Sequence, residues 1–310
     1  MPQESPFSSR PGIRLATPAD TVSLRSLLYL GEHVYFFPGW SPLEAWLREE
    51  PCLVLERGRH ITAALACPLE TARTAWVRLF AVHAHVSPQR AWHLLWEAMQ
   101  KELAERGVEY VMSLGIYGWL EELYRGSGFQ PRTEVVTLAW EAPAVPLPPP
   151  PPHPQVTVRD MTPEDLDAVA EVDARAFPPE WRVSKALLRS SLDNLLLGLV
   201  AETEGRIVGH VLVLPTSRGC HIARLAVEPA WQARGVGRTL VTFALARAQS
   251  QGCRLVTVNT QVDNGPALSL YRRLGFWGTG QRHRVWRYVL PATTAPEIRQ
   301  TAYPLPERTL

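Results

Sequence analysis

Between Pro143 and Pro154 the chain reads PAVPLPPPPPHP, and eight of these twelve residues are proline. Each ring holds φ near about −65° and removes a backbone donor, so neither a helix nor a central strand can cross the segment. What remains is an extended, semi-rigid polyproline spacer. It lies near the middle of a 310-residue chain, and either flank is long enough to bury a core of its own. The constraint is two folded units and a linker. As a spacer, Pro148 to Pro152 should be replaceable by a Gly/Ser stretch of equal length with each unit still folded, because the segment donates no hydrogen bonds to either sheet. PLPPPPP also satisfies the PxxP pattern of a ligand for a partner module, but the mid-chain position favours the linker.

The two flanks resemble one another. IRLATPAD (Ile13 to Asp20) faces VRDMTPED (Val158 to Asp165), with Arg14 opposite Arg159 and Thr17-Pro18 opposite Thr162-Pro163, a shift of 145 residues. Ala81-Val82 faces Ala226-Val227 at the same shift, and LYRGSGF (Leu123 to Phe129) faces LYRRLGF (Leu270 to Phe276) at a shift of 147. Three anchors in one order read as two copies of one domain. Their expected bounds are 12–141 and 156–290, with 142–155 as linker and 291–310 as a loosely ordered tail.

The second copy shows the expected architecture more clearly. VTVRDM reads as a short strand, and the spacing of Leu166, Val169, Ala170, Val172 and Phe177 predicts a helix. LLLGLVAET, GRIVGHVLVLPT and CHIARLAV predict successive strands, with turns at Glu204-Gly205 and Arg218-Gly219. A helix opening after Gly235 buries Leu240, Val241, Ala244, Leu245 and Ala248 and stops at Gly252. RLVTVNT is a further strand, Pro266 sits in the first turn of a helix PALSLYRRL, and RVWRYVL closes the sheet. The predicted class is α+β, each domain a mixed, mostly antiparallel sheet flanked by helices.

Composition excludes several functions. A formal charge of +2 gives no reason to expect nucleic acid or an anionic membrane as partner. Four scattered cysteines, with no CxxC, argue against a zinc site or a disulfide framework, so no metal is expected. The N-terminal MPQESPFSSRPGIRL has no apolar signal core and no run reaches membrane-spanning length, so a cytoplasmic setting is expected. The oligomeric state is not legible.

The stretch that carries chemistry is LAVEPAWQARGVGRTL, where a strand hands over to a helix. A helix N-terminus has free N–H groups and a partial positive charge, so it can hold phosphate. Gly235 and Gly237 permit close backbone approach and unusual dihedrals, and Arg234 and Arg238 add charge. A full GxGxxG is absent, no acidic residue follows at ribose distance, and no GK[ST] is present, so neither the Rossmann nor the Walker pattern applies.

QARGVG, Gln232 to Gly237, resembles the [RQ]-x-x-G-x-[GA] signature of the GCN5-related N-acetyltransferases (GNAT). About thirty residues later, NGPALSLYRRLGF (Asn264 to Phe276) is similar to the family's second signature. The resemblance covers roughly 156–290 and, in degenerate form, 12–140. It implies two tandem GNAT-like domains and acetyl-CoA as co-substrate. The pyrophosphate would lie on Gln232, Ala233, Arg234, Gly235, Val236, Gly237 and Arg238, and the pantetheine arm along Leu225, Ala226 and Val227. Asn259, Asn264, Ala267 and Tyr271 would complete the cofactor site.

The implied reaction is direct transfer of an acetyl group to a primary amine in a ternary complex. The Val227 amide would be the oxyanion donor and Tyr271 the general acid for the leaving thiolate, although a tyrosine there could equally pack the apolar face of its helix. Where many relatives carry a glutamate base this chain has Asn259, leaving Glu202 or His221 as substitutes. In the first copy Ser87, Arg90 and Trp92 face Gln232, Gly235 and Gly237, which should block a cofactor. That copy is expected to cover an edge of the second domain or wall the acceptor pocket. Phe177 and Trp181 could line such a pocket, for a small-molecule amine or a peptide. The alternative to an enzyme is an acyl-CoA-binding sensor or scaffold.

Overall fold

The computed structural model describes residues 12–37, 43–58 and 60–291; the tail from 292 onward lies outside the described residues. The first half runs β1 (Gly12–Leu15), α1 (Thr21–Leu30), β2 (His33–Phe36), α2 (Leu43–Glu49), β3 (Cys52–Arg57), β4 (His60–Ala66), β5 (Leu69–Thr71), β6 (Thr74–Trp76), β7 (Leu79–Val82), α3 (Pro88–Glu105), β8 (Tyr110–Gly115), α4 (Gly118–Gly126) and β9 (Gln130–Glu141). The second runs β10 (Thr157–Asp160), α5 (Leu166–Ala176), α6 (Lys185–Ser191), β11 (Leu197–Thr203), β12 (Arg206–Thr216), β13 (Gly219–Val227), α7 (Val236–Ser250), β14 (Leu255–Gln261), α8 (Gly265–Arg273) and β15 (Trp277–Val289). The fold is α+β, with one antiparallel sheet and one mixed, mostly antiparallel sheet flanked by helices.

The repeated motifs do the same physical work in each half. Asp20 accepts the Thr17 N–H at 2.8 Å and a two-pronged contact from Arg14 at 2.7 and 2.8 Å. Asp165 repeats it with Thr162 at 2.8 Å and Arg159 at 2.7 and 2.9 Å. The aspartate thus starts the helix and ties it to the first strand. Each guanidinium holds its aspartate at a pKa of about 2. At the other anchor, Gly128 and Gly275 take φ of +84° and +87° just past α4 and α8, the left-handed ending that favours glycine, and the next residue, Phe129 or Phe276, is buried.

The halves lie side by side and exchange their last strands. One sheet has the order β1-β3-β4-β7-β2, and the other runs β10-β11-β12-β13-β14-β9-β15-β8-β6-β5 through both halves. Each half's last strand is inserted between two strands of the other half: β9 lies between β14 and β15, and β15 between β9 and β8. Consequently Trp286 and Leu290 lie in the core of the first half, and Leu138 and Trp140 in that of the second.

The proline segment is more than a spacer. The Leu147 N–H donates to Gln249 Oε1 at 2.7 Å, and Gln249 Nε2 donates to the carbonyls of Pro143 and Val145 at 2.9 and 3.1 Å. Leu147 also packs on the second core. These bonds come from Pro143, Val145 and Leu147, ahead of the five prolines, and go to a helix side chain rather than to a sheet.

Candidate active site

β13 and β14 run parallel and pair only from Cys220–Val256 to Ile222–Val258. At Ala223 the register of β13 against β12 slips, with Val213 facing Ile222 and Leu212 facing Arg224. Such a bulge kinks its strand, and beyond it the two strands diverge into a wedge. Glu228 donates its N–H to the Val208 carbonyl on β12. Since strand amides alternate in direction, those of Leu225 and Val227 face the wedge. Val227's carbonyl, on that same side, accepts from Gln232 Nε2 at 3.0 Å.

The loop at the mouth of the wedge is built from left-handed backbone. Ala233 has φ of +58° and Gly235, the N-cap of α7, has φ of +91°. An alanine in that region is strained and is held there by its surroundings; alternation of hands also turns successive N–H groups toward one concavity. Gln232, Ala233, Arg234, Gly235 and Arg238 are exposed, whereas Val236 is buried and anchors the loop. A Cβ on Gly237 would meet Leu270 and Val227 side chains at 3.6 Å, so only a bulky residue is excluded there.

Inside the wedge lies a cavity of about 270 Å³. Leu225, His221, Asn259, Asn264, Ala267 and Tyr271 line it, so the wall joins residues of β13 and β14 to residues of the second signature motif, Asn264 to Phe276. Tyr271 is 4 % exposed and its ring packs on Phe276 at 5.3 Å; burial pushes its phenol above the usual range. His221 Nδ1 lies 2.8 Å from Thr257 Oγ1, and burial lowers the imidazole to a pKa of about 4, so it is neutral at pH 7. Asn264 Oδ1 accepts the Ala267 N–H at 3.2 Å and caps α8. Asn259 Oδ1 accepts from Thr137 of the first half at 2.8 Å.

Glu202 is not brought to this cavity. It accepts from Arg159 at 2.7 Å, just as Glu56 accepts from Arg14 in the first half. A contact made in both copies belongs to the shared scaffold, and Glu202 is corrected from a candidate base to a structural partner. Ala226 likewise turns its side chain into the core and offers only backbone.

Sequence reasoning named a wall from the first half as one of two roles but none of the residues that line the opposite side. Phe37, Glu70, Trp76 and Arg78 reach the cavity from the first half. The Arg78 guanidinium donates to buried Glu70 and lies 4.8 Å from the Trp76 ring centre, and Trp76 meets Trp181 at 5.5 Å. The Ser184 N–H donates to the Glu70 carbonyl at 2.9 Å, closing the halves on each other. Arg224 donates to fully buried Asp173 at 2.5 and 2.8 Å and lies over Phe177 at 3.6 Å. The available signals were a lone arginine in an apolar strand and an aspartate on an apolar helix face.

At the equivalent place the first half is filled. β2 pairs antiparallel with β7, Tyr35 facing Phe80 and His33 facing Val82, and the Glu32 N–H donates to the Val82 carbonyl. Phe80 and Val82 stand where Leu225 and Val227 stand. Trp92, opposite Gly237, is 2 % exposed and donates to Ser127 Oγ at 2.7 Å.

Residues 166–276 match the Acetyltransferase (GNAT) family. N-alpha-acetyltransferase RimI of Mycobacterium tuberculosis is 30 % identical over 139 residues, covering 43 % of this chain and 85 % of that protein. The chain belongs to the GNAT family. Mycothiol acetyltransferase of Pseudarthrobacter chlorophenolicus is 27 % identical over 229 residues, 69 % of this chain and 71 % of that one. Among solved structures, a tandem GNAT protein from the clavulanic acid biosynthesis pathway superposes with a TM-score of 0.61 at 15 % identity, covering 91 % of this chain and 99 % of its own; that likeness concerns the fold alone. Among the described residues no helix is long and apolar enough to cross a membrane.

Proposed function

We propose that this GNAT protein transfers the acetyl group of acetyl-CoA to a primary amine, at one site per chain, in the wedge between β13 and β14. The observation that carries the reading is the wedge itself: an unpaired strand edge, a left-handed anion-binding loop at its mouth and Tyr271 on its wall. Residues 156–290 form the catalytic repeat. Residues 12–141 form a repeat whose cofactor position is taken by β2 and Trp92, joined through the linker 142–155.

The residues fit the co-substrate. The amides of the loop and of the first turn of α7 suit a pyrophosphate, with Arg234 and Arg238 beside it. The Leu225 and Val227 amides suit the amide groups of a pantetheine arm. Bound acetyl-CoA supplies an acyl group activated as a thioester. The Val227 N–H donates to the carbonyl oxygen as it gains charge. As the amine nitrogen bonds to the acyl carbon and the carbon–sulfur bond breaks, Tyr271 gives its proton to sulfur. A desolvated phenol is a weak acid, but sulfur in the same dry cavity is a strong acceptor.

His221, whose Nδ1 lies 2.8 Å from Thr257 Oγ1, is not the base. An imidazole of pKa about 4 cannot strip an alkylammonium whose reference pKa is about 10. The amine therefore enters neutral, and the proton that its nitrogen sheds passes to water, from which the Tyr271 phenolate regains its own. The relatives act on different acceptors, one named for protein N-termini and one for mycothiol, so the acceptor here is a primary amine on a small molecule or a peptide. An amine and peptide panel scored by release of free CoA tests the proposal. Release with at least one acceptor is expected; binding of acetyl-CoA without release from any would establish a sensor instead.

A further inference from the structure

The linker touches the phosphate loop. His153 Nε2 lies 2.9 Å from the Arg234 carbonyl oxygen, and the Gln155 N–H donates to His153 Nδ1 at 3.1 Å. A carbonyl only accepts, so Nε2 carries the proton and donates, while Nδ1 accepts. Both ring nitrogens are thereby used by backbone, one of them that of the loop. The same ring sits 3.5 Å from where a Cβ of Gly235 would be.

The two linker attachments stand at opposite ends of α7, Gln249 near its C-terminus and Arg234 just before its N-terminus. The span along the helix from Gly235 to Gln249 is about 21 Å at about 1.5 Å per residue. From Leu147 to His153 a polyproline backbone rises about 19 Å at about 3.1 Å per residue. The five prolines Pro148 to Pro152 therefore match the length of the helix they lie along. Fixed φ keeps that length without a loss of chain entropy on docking.

We propose that the proline segment is a splint along α7 and that His153 is a positioning residue for the phosphate loop. Gln232 clamps the loop to the strand end and His153 clamps it from outside, and together they hold Ala233 and Gly235 in the left-handed region before any ligand arrives. Pre-ordering of this kind raises affinity by removing the ordering loss on binding. The inference rests on the acetyl-CoA reading of the loop given above.

The test uses the full chain with His153→Ala, His153→Gln and a Gly/Ser exchange of Pro148 to Pro152. In the unliganded protein, His153→Ala should speed hydrogen exchange of the loop amides. The Kd and KM for acetyl-CoA should rise roughly 3- to 10-fold, the worth of one hydrogen bond, with kcat within about twofold. His153→Gln, whose amide can donate to the Arg234 carbonyl, should recover part of both. The Gly/Ser exchange should repeat the His153→Ala phenotype although His153 is retained, because the spacing is lost. Unchanged loop exchange and unchanged affinity in both the alanine and Gly/Ser variants would overturn the splint, as would a fall in kcat with affinity intact. If the exchange effects appear but no variant, wild type included, binds acetyl-CoA, the splint stands and the cofactor reading fails.

Discussion

In both halves a strand leaves its parallel neighbour at the same point of the repeat, β13 from β14 after Ile222 and β7 from the line of β6 and β8 after Trp76. In the second half the opening stays clear, and among the described residues no strand pairs with the wedge-facing edge of Leu225 and Val227. In the first half β2 lies in it, and Phe80 and Val82 are paired. The tyrosines differ in the same sense. Tyr124 is fully buried with its hydroxyl 2.5 Å from Ser113 Oγ, whereas Tyr271 lines a cavity. One scaffold thus has its opening either filled by its own strand or left clear, and what separates the two is whether the chain itself satisfies the exposed edge.

The sharpest way to break the contrast is to exchange the residues that fill and clear the two openings. Gly237→Trp should abolish acetyl-CoA binding by occupying the phosphate position, as calorimetry would show. Trp92→Gly should create no second site, because β2 still covers the edge, and should lose about 3–5 kcal/mol of stability through the cavity left behind. Two equivalent sites in that variant would mean that Trp92 alone had closed the first half.

Tyr271→Phe and Tyr124→Phe form a matched pair. The first should lower kcat by roughly 10² to 10⁴, the usual contribution of a positioned acid, with little change in acetyl-CoA affinity. The second should leave kcat unchanged and lose about 1 kcal/mol with the Ser113 contact. Equal kcat in both variants, with acceptor saturating, would reduce Tyr271 to a packing residue.

Acid should distinguish the halves next. His210 is fully buried on β12, neither ring nitrogen has a hydrogen-bond partner among the described residues, and burial lowers it to a pKa of about 4; its position in the first half is held by Ala64, which also pairs with the equivalent strand. The unfolded chain, near the ordinary value of about 6.5, binds the proton first. Stability from this site is therefore complete above about pH 6.5 and is lost as pH falls toward 4, by about 3 kcal/mol in all. Denaturant titrations at stepped pH should show that slope in the wild type and a flatter one in His210→Leu. Below it, Asp20 and Asp165 should hold both halves alike, since depressed carboxylates keep their contribution until pH falls below about 4.

The smallest effect expected is from Glu202→Gln and Glu56→Gln. Each partly exposed ion pair should contribute less than about 1 kcal/mol, and neither variant should change kcat by more than about twofold. A large loss of kcat in Glu202→Gln alone would restore Glu202 as a base and break the equivalence of the two networks.

Much of this molecule was legible in local pattern. The repeat, the α+β class, the helix starts at Thr162-Pro163 and Asn264-Gly265-Pro266 and the Gln232 to Gly237 loop all follow from residues within one or two turns of each other, where capping, glycine dihedrals and apolar spacing act. Residue identity at short range is sufficient for such features. The exchange of β9 and β15, the plug formed by β2, the wall of Glu70 and Arg78, and the docking of the linker on Gln249 and Arg234 were decided only by tertiary structure. Each depends on which strand edge finds which partner across a hundred residues or more, and an unpaired edge accepts a strand of the same half, a strand of the other half or a ligand with the same backbone hydrogen bonds. The motif specifies that an edge is open, and only the packed chain determines what closes it.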